Sequence, residues 1–154
     1  MRRPILFVPC SGAKASGRLP AIEKYTGASV WGLLRKDPER FALLRDKAQI
    51  VIVSAQYGLL YPHEYIDDYD TTMTPQRVAA LTNDHQREKL HRLLKTVSDQ
   101  AVYVGLPKAY RSLVEVLDVG SLSLCDTHYF APGSGIGSQR KQLNLWVDAI
   151  VPNS

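Results

Sequence analysis

The stretch Gln49-Ile50-Val51-Ile52-Val53-Ser54 gives the clearest indication of the fold. It is rich in β-branched residues, which favour strands, and it ends at a small polar residue. Two further apolar runs, at residues 4–8 and 101–105, lie on either side of it in the chain. Runs that are apolar at every position are typical of strands buried on both faces of a parallel sheet.

Segments with the spacing of apolar residues expected for helices separate these strands. They are residues 21–34, a short helix from Pro38, a long helix from Thr74 to Val97, residues 107–117 and a last helix that carries Leu143, Trp146, Val147 and Ile150 on one face. Residues 122–124 are interpreted as a fourth, shorter strand. The alternation predicts a three-layer α/β fold with a mostly parallel sheet of about four strands and helices on both faces.

Composition and charge restrict the class of protein. The 154 residues are 45% hydrophobic and 22% charged, which is typical of one globular domain, and we assign residues 1–154 to it. The first apolar run is too short for a signal peptide or a membrane span, so we expect a soluble, cytoplasmic protein without a membrane partner. The net charge of +4 allows a phosphate-bearing partner. Cys10 and Cys125 form no CxxC pair or zinc-like spacing, and we expect neither a metal nor a cofactor.

The loops that follow the strands are the expected place for a ligand, because open parallel sheets bind ligands at the carboxyl ends of their strands. The first such loop, Cys10-Ser11-Gly12-Ala13-Lys14, offers a thiol, a hydroxyl, backbone N–H groups and an ammonium group that can hold an anion. The alternative is a plain strand-to-helix turn with a buried cysteine. For Cys10 we expect a packing role that shapes the loop, without a covalent intermediate.

The second loop contains Gln56 and Tyr57. An amide or a phenol at this place can read the edge of a base or stack on its ring. The alternative is that Tyr57 is a half-buried core residue with a solvated hydroxyl.

A carboxylate-rich segment follows in the long loop of residues 58–74. Asp67 and Asp68 are expected to be solvated loop charges. Asp70 can activate water or stabilise a cationic sugar if it lies in a pocket, and its alternative role is to cap the turn at Thr71-Thr72.

A glycine-rich stretch, residues 132–138, precedes the last helix and Arg140. Its glycines, Gly135 among them, a helix start and the following cations suggest a phosphate-binding loop. The alternative is a flexible loop with a solvated basic helix face.

Four segments together resemble a known family: PCSGAK at 9–14, EKYTGASVW at 23–31, VIVSAQYGLLYPHEYIDDYD at 51–70 and GIGSQRKQLNLW at 135–146. This is a bacterial and phage family of small domains, similar to the peroxide-stress YaaA proteins and to the middle domain of archaeosine synthase. The wider group has uracil-DNA-glycosylase-type α/β folds. The chain lacks the two short motifs with which those glycosylases activate water and bind the leaving group.

The resemblance implies an enzyme that hydrolyses the N-glycosidic bond of a modified base in a nucleic acid or a nucleotide. The alternatives are a non-catalytic nucleic-acid-binding protein of the YaaA type, acting in DNA protection or stress response, and a hydrolase of small nucleotides. From the loops and the resemblance together, we assign catalysis to Ser11, Lys14, Tyr57 and Asp70. We assign substrate binding to Cys10, Tyr25, Gln56, Tyr69, Gly135 and Arg140.

We expect one pocket at the sheet edge, lined by the four implicated catalytic residues and with Arg140 at its rim. In that pocket Lys14 would favour the ionised form of Asp70.

Overall fold

The structure, a computed structural model, describes residues 3–27, 30–94 and 101–152. Its strands are β1 (Ile5–Pro9), β2 (Leu19–Pro20), β3 (Gln49–Ser54), β4 (Gly58–Leu60), β5 (Tyr65–Ile66), β6 (Ala101–Val104) and β7 (Asp126–Tyr129). Its helices are α1 (Ala21–Lys24), α2 (Val30–Arg35), α3 (Pro38–Lys47), α4 (Pro75–Leu81), α5 (Asp84–Leu94), α6 (Lys108–Leu117) and α7 (Ile136–Ile150), with a 3₁₀ helix at Ser121–Leu124. Within this part of the chain, no helix is both long and apolar enough to cross a lipid bilayer.

The central sheet has five strands in the order β4-β3-β1-β6-β7. Strands β3, β1, β6 and β7 are parallel to their neighbours, and β4 pairs antiparallel with β3 at one edge. Strands β2 and β5 form a separate antiparallel pair. The predicted α/β fold with a mostly parallel sheet is therefore confirmed, with five strands in place of about four.

Side chains of β1 alternate between two apolar layers, because successive residues of a strand point to opposite faces. Ile5 and Phe7 pack with buried residues of α5 and α6. Leu6 and Val8 pack on the other face with residues of α1, α2, α3 and α7. Helices thus cover both faces of the sheet, as the sequence predicts.

The additional strand, β4, lies in the segment predicted as a long loop. Gly58 has a φ of +77°, a left-handed conformation that glycine adopts without strain, and this lets the chain reverse directly after β3. Leu59 then pairs with Val53 and is fully buried. A tight reversal at one glycine therefore places the start of the predicted loop in the sheet.

The strand predicted at residues 122–124 is wrong. This segment belongs to the 3₁₀ helix, and the fourth parallel strand is β7, a few residues later. The Ser123 hydroxyl donates to the Gly120 carbonyl at 2.6 Å, and the Ser123 N–H donates to the same oxygen at 3.3 Å. These local bonds favour a turn over a sheet ladder.

Two predicted helices are divided in the structure. The helix of residues 21–34 is interrupted where Tyr25 adopts an extended conformation, and residues 28–29 lie outside the described residues. The long helix begins as predicted, with the Thr74 hydroxyl as N-cap, but it ends at Leu81. Asn83 then caps α5, since its Oδ1 accepts from the Gln86 N–H at 2.9 Å. Val97, placed by the sequence in this helix, lies outside the described residues.

Candidate ligand site at the carboxyl edge of the sheet

The strand order predicts a crevice between the carboxyl ends of β1 and β6. The chain moves from β1 to one side of the sheet to form β3, and later continues on the other side of β1 with β6. Loops that leave neighbouring strands toward opposite faces open a crevice at their carboxyl ends, where ligands bind in open α/β sheets. Cys10 follows β1 at this place, and its thiol donates to the Tyr110 hydroxyl on α6 at 3.4 Å.

Three hydroxyl groups form a chain beside this crevice. The Ser54 hydroxyl donates to the Tyr69 hydroxyl at 3.0 Å, and the Tyr69 and Tyr25 oxygens lie 2.7 Å apart. Ser54 and Tyr25 are fully buried, whereas Tyr69 is half-buried.

The direction of these hydrogen bonds follows from a count of donors and acceptors. The Ser54 oxygen accepts from the N–H groups of Gln56 at 3.2 Å and of Tyr57 at 3.1 Å. Both of its lone pairs are then used, so its proton goes to Tyr69. Tyr25 is buried, and its hydroxyl proton has an acceptor when it is donated to the nearby Tyr69 oxygen. The Tyr69 hydroxyl then accepts twice and keeps its own proton for a ligand or water.

The phenols of this cluster are neutral at physiological pH. Burial raises the pKa of Tyr25 to about 12, with smaller opposing contributions from its hydrogen bonds. Burial also raises the pKa of Tyr69 and of Tyr110 well above the ordinary value for tyrosine. They therefore act as hydrogen-bond partners and not as phenolate bases.

Lys14 and Tyr57 meet this cluster from two separate loops. The Lys14 ammonium lies 4.4 Å from the centroid of the Tyr69 ring, and the Tyr57 ring stands edge-on to Tyr69 with centroids 5.5 Å apart. Lys14 also forms an isolated antiparallel bridge with Tyr25. The structure therefore brings Lys14, Tyr25, Tyr57 and Tyr69 together, although the sequence separates them by up to 55 positions.

Ser11 holds its own loop in shape. Its hydroxyl lies 2.6 Å from the Ala13 carbonyl and 3.0 Å from the Thr26 carbonyl, so its proton is already engaged. The Thr26 N–H in turn donates to the Ala13 carbonyl at 3.0 Å. Ser11 thus positions the backbone that carries Lys14.

Gln56 is exposed and belongs to a second group of contacts. Its Oε1 accepts from the Thr71 hydroxyl at 2.7 Å. The Arg77 guanidinium donates to the carbonyls of Ala55 at 2.9 Å and Gln56 at 3.1 Å. The loop after β3 is therefore fixed by α4, and the Gln56 amide nitrogen points to no partner among the described residues.

Asp70 does not pair with Lys14. Its side chain is exposed and forms no hydrogen bond or ion pair within residues 3–27, 30–94 and 101–152. Neither the expected ion pair nor the alternative cap of Thr71-Thr72 is formed. Asp70 directly follows Tyr69 in the sequence, and its side chain is exposed.

Asp68 is the carboxylate that holds a buried cation. Lys24 is fully buried, and its ammonium donates to Asp68 and to the Gly17 carbonyl. The hydrogen bond from Lys24, followed by one from the Gly17 N–H, lowers the pKa of Asp68 below its ordinary value. Asp67 pairs with Arg18 at 3.1 Å. Both aspartates are largely exposed, as expected, but the interpretation as purely solvated charges is wrong.

Gly135 and Arg140 belong to the same edge of the sheet. Gly135 is the N-cap of α7, which begins after β7 and therefore at the carboxyl end of the parallel strands. Strand β7 is two positions from β1, so these residues follow a different loop from the tyrosine cluster. No three His, Cys, Asp or Glu side chains in the described ranges are grouped as ligands for a metal ion.

Sequence reasoning missed the residues whose role depends on distant contacts, namely Lys24, Arg77 and Tyr110. The thiol of Cys10 and the hydroxyl of Tyr110 are 100 positions apart in sequence. Lys24 follows Glu23 in a segment whose charge pattern is that of a solvated helix face. No local pattern in the sequence therefore indicates its burial.

Comparison with known proteins places the chain in a family. Residues 5–144 match the model of DUF6884, a family of unknown function, and the chain belongs to that family. Among solved structures, it is similar to the crystal structure of AF0587, a protein of unknown function, with 14% identity and a TM-score of 0.53. This likeness covers 98% of the chain but 45% of that protein, and it shows a shared fold. No curated protein matches the chain.

Proposed function

We propose that the chain binds a nucleotide unit, free or within a nucleic acid, at the carboxyl edge of its sheet and hydrolyses the N-glycosidic bond of a modified base. The observation that supports this most is the neutral hydroxyl chain Ser54–Tyr69–Tyr25 beside the Lys14 ammonium. A hydrogen-bond donor and a cation next to aromatic rings suit a ligand with a phosphate and a base. The proposal includes the YaaA-type and archaeosine-synthase-type relationship, and the uracil-DNA-glycosylase-type fold, that the sequence motifs suggest.

Binding would use three kinds of contact. The Lys14 ammonium and the N–H groups of its loop hold a phosphate, with Arg140 contributing from α7. The Tyr69 proton, left over in the hydroxyl chain, donates to an oxygen of the ligand. Tyr57 contacts the base, and so does the Gln56 amide nitrogen, which has no partner in the described part of the chain. Cys10, Tyr25 and Ser11 support this surface from behind.

Hydrolysis would use Asp70. In the proposed reaction the bond between the sugar C1′ and the base nitrogen breaks, the oxygen of water bonds to C1′, and the water proton is accepted by Asp70 before it reaches the departing base. The exposed carboxylate is free to turn toward a bound sugar, because no described contact holds it elsewhere. An ionised aspartate also stabilises the positive charge that develops on the sugar.

A nucleic-acid-binding protein without catalysis is the second candidate. The observation that favours it is that no described contact holds the Asp70 carboxylate. A catalytic carboxylate is usually held in place by its neighbours. In that case the tyrosine cluster and Lys14 recognise the ligand, and Asp70 has no role in binding.

The test is incubation with DNA and nucleotides that carry varied modified bases, followed by mass spectrometry of released free base. An enzyme releases base, and Asp70→Asn abolishes release while it leaves binding intact. Asp46→Asn, which removes an exposed aspartate on α3, is the matched control and should release base normally. A pure binder releases nothing, and its affinity for DNA falls steeply with salt, whereas a small nucleotide gives a shallow dependence.

A further inference from the structure

A separate cavity lies at the opposite edge of the sheet. Its volume is about 310 Å³, and its walls include Arg3, Arg45, Gln49, Tyr61 and His63. Gln49 is the first residue of β3, and its N–H donates to the carbonyl of Pro4 just before β1. Because β3 has six residues, this edge is about 20 Å from the carboxyl edge and its tyrosine cluster.

Two cations in this cavity have no anionic partner in the described part of the chain. Arg3 and Arg45 are exposed and form no hydrogen bond or ion pair with the described residues. Among the residues that the structure describes, no aspartate or glutamate lines the cavity. Glu64, next to His63, is already engaged, since it accepts from the Lys89 ammonium and from the Tyr61 N–H. Two such guanidinium groups in one concave site favour an anion with several oxygens, because they donate in a fork that matches phosphate.

An aromatic pair forms another wall. The rings of Tyr61 and His63 are parallel, at an angle of 3° with centroids 5.9 Å apart. The Lys89 ammonium lies 5.0 Å from the centroid of the Tyr61 ring, and His63 is exposed. Burial raises the pKa of the Tyr61 hydroxyl, so this phenol is neutral. The exposed His63 ring, in the same cavity as Arg3 and Arg45, is a suitable stacking surface for a base.

We propose that this cavity binds a mononucleotide, with its phosphate on Arg3 and Arg45 and its base against His63. A free phosphate ion would fill only a small part of 310 Å³, whereas small-molecule sites begin at about this size. The proposal adds a site that is independent of the one at the carboxyl edge, and it stands whether or not the chain hydrolyses a glycosidic bond.

Calorimetric titration with adenosine 5′-monophosphate, inorganic phosphate and adenosine tests the proposal at low ionic strength. We expect the mononucleotide to bind, phosphate to bind more weakly because it lacks the base, and adenosine to bind more weakly because it lacks the charge. Arg3→Ala/Arg45→Ala should weaken mononucleotide binding by at least about tenfold, since charge-assisted hydrogen bonds are lost. His63→Ala should weaken binding of the mononucleotide but not that of phosphate.

Two controls separate this site from its alternatives. Lys36→Ala/Lys141→Ala removes two exposed positive charges elsewhere and should leave the affinity within about twofold, because exposed charges at a distance are screened. All of these titrations are carried out in a Lys14→Ala background, so that nucleotide binding at the carboxyl edge does not contribute to the signal. The proposal is overturned if Arg3→Ala/Arg45→Ala binds the mononucleotide normally, if the Lys36 and Lys141 control loses as much affinity, or if Lys14→Ala alone abolishes binding.

Discussion

At the scale of single residues, the Tyr69 hydroxyl joins the strand end at Ser54 to the buried ring of Tyr25. Tyr69→Phe removes this oxygen and with it the hydrogen bonds that Ser54 and Tyr25 form with it. We therefore expect the free energy of unfolding to fall by about 1–3 kcal/mol, measured by urea denaturation. Binding of the proposed nucleotide ligand should weaken as well, since the donor to the ligand is lost.

Tyr65→Phe is the matched control for this variant. Tyr65 is 59% exposed, so loss of its hydroxyl should change the free energy of unfolding by less than about 0.5 kcal/mol. Equal stability of Tyr69→Phe and Tyr65→Phe would contradict the proposed direction of the hydrogen-bond chain.

The Lys24–Asp68 pair predicts a pH dependence of stability. The pKa of Asp68 is lower in the folded chain than in the unfolded chain. The ionised carboxylate therefore stabilises the fold fully at a pH above the pKa of the unfolded chain. This stabilisation is lost as the pH falls through the pKa of the folded chain. The difference in unfolding free energy between wild type and Asp68→Asn should therefore be constant near neutral pH and shrink as the pH falls below about 5. Thermal or urea denaturation at a series of pH values measures it.

Asp67→Asn is the control, because its partner Arg18 is exposed and such surface pairs contribute little. A constant difference in unfolding free energy between wild type and Asp68→Asn down to pH 2 would show that Lys24 does not depend on the charge of Asp68.

The sequence could not predict this pair, because burial of Lys24 results from the folding of the loops at Gly17 and Asp68 around it.

At the scale of elements, Gln86 fixes the reversal between β3 and β4 to α5. Its Nε2 donates to the Tyr57 carbonyl at 3.0 Å, and its Oε1 accepts from the Leu59 N–H at 2.9 Å. A Cβ on Gly58 would lie 2.5 Å from that Oε1, and the φ of +77° is already unfavourable for other residues. Gly58→Ala should therefore lower the unfolding free energy by about 2 kcal/mol or more, from the left-handed backbone and the clash together.

A double-mutant cycle separates the two contributions. In a Gln86→Ala background the clash is gone, so the additional cost of Gly58→Ala should fall to about 1–2 kcal/mol, the cost of the backbone alone. Gly12→Ala is the control and should have little effect, since a Cβ there meets nothing within 4 Å. If the changes in unfolding free energy from Gly58→Ala and Gln86→Ala simply add in the double variant, the side chain of Gln86 moves aside freely.

The sequence predicted the central elements better than the peripheral ones. Strands β1, β3 and β6 are nearly continuous apolar runs, because helices cover both of their faces, and such runs are easily recognised. The edge strand β7 has the sequence Asp126-Thr127-His128-Tyr129, which is half-exposed and carries no apolar pattern. The neighbouring segment Leu122-Ser123-Leu124 favours a strand in the sequence instead, because apolar and polar residues alternate in it.

At the scale of the whole molecule, the sequence also predicted that the loops after the first two strands lie together. Strands β1 and β3 are parallel neighbours, with Pro9 beside Val53, so both loops leave the same edge. The position of β6 on the other side of β1 depends on pairing between distant segments, for which the sequence has no local pattern. For that reason the contact between Cys10 and Tyr110 was not predicted, although the loops after β1 and β6 were.

This topology predicts which thiol a ligand protects. Cys10 lies at the carboxyl edge of the sheet, beside the crevice, whereas Cys125 precedes β7 and lies at the amino edge. Neither cysteine forms a disulfide, and both are half-buried. A deoxynucleoside monophosphate bound in the crevice should slow alkylation of Cys10 by about tenfold at a concentration about ten times its Kd, because only the unbound fraction reacts. Alkylation of Cys125 should not change, and peptide mass spectrometry distinguishes the two sites.

Three variants determine whether the protection arises from the proposed site. Lys14→Ala should reduce the protection, since it weakens binding beside Tyr69, while Arg3→Ala/Arg45→Ala should retain it, because that cavity is at the other edge. Cys10→Ala should still release base in the glycosidic assay, since we expect the thiol to pack against Tyr110 without forming a covalent intermediate. Equal protection of Cys10 and Cys125 would indicate a general stabilisation of the fold by the ligand, and it would place the ligand outside the crevice between β1 and β6.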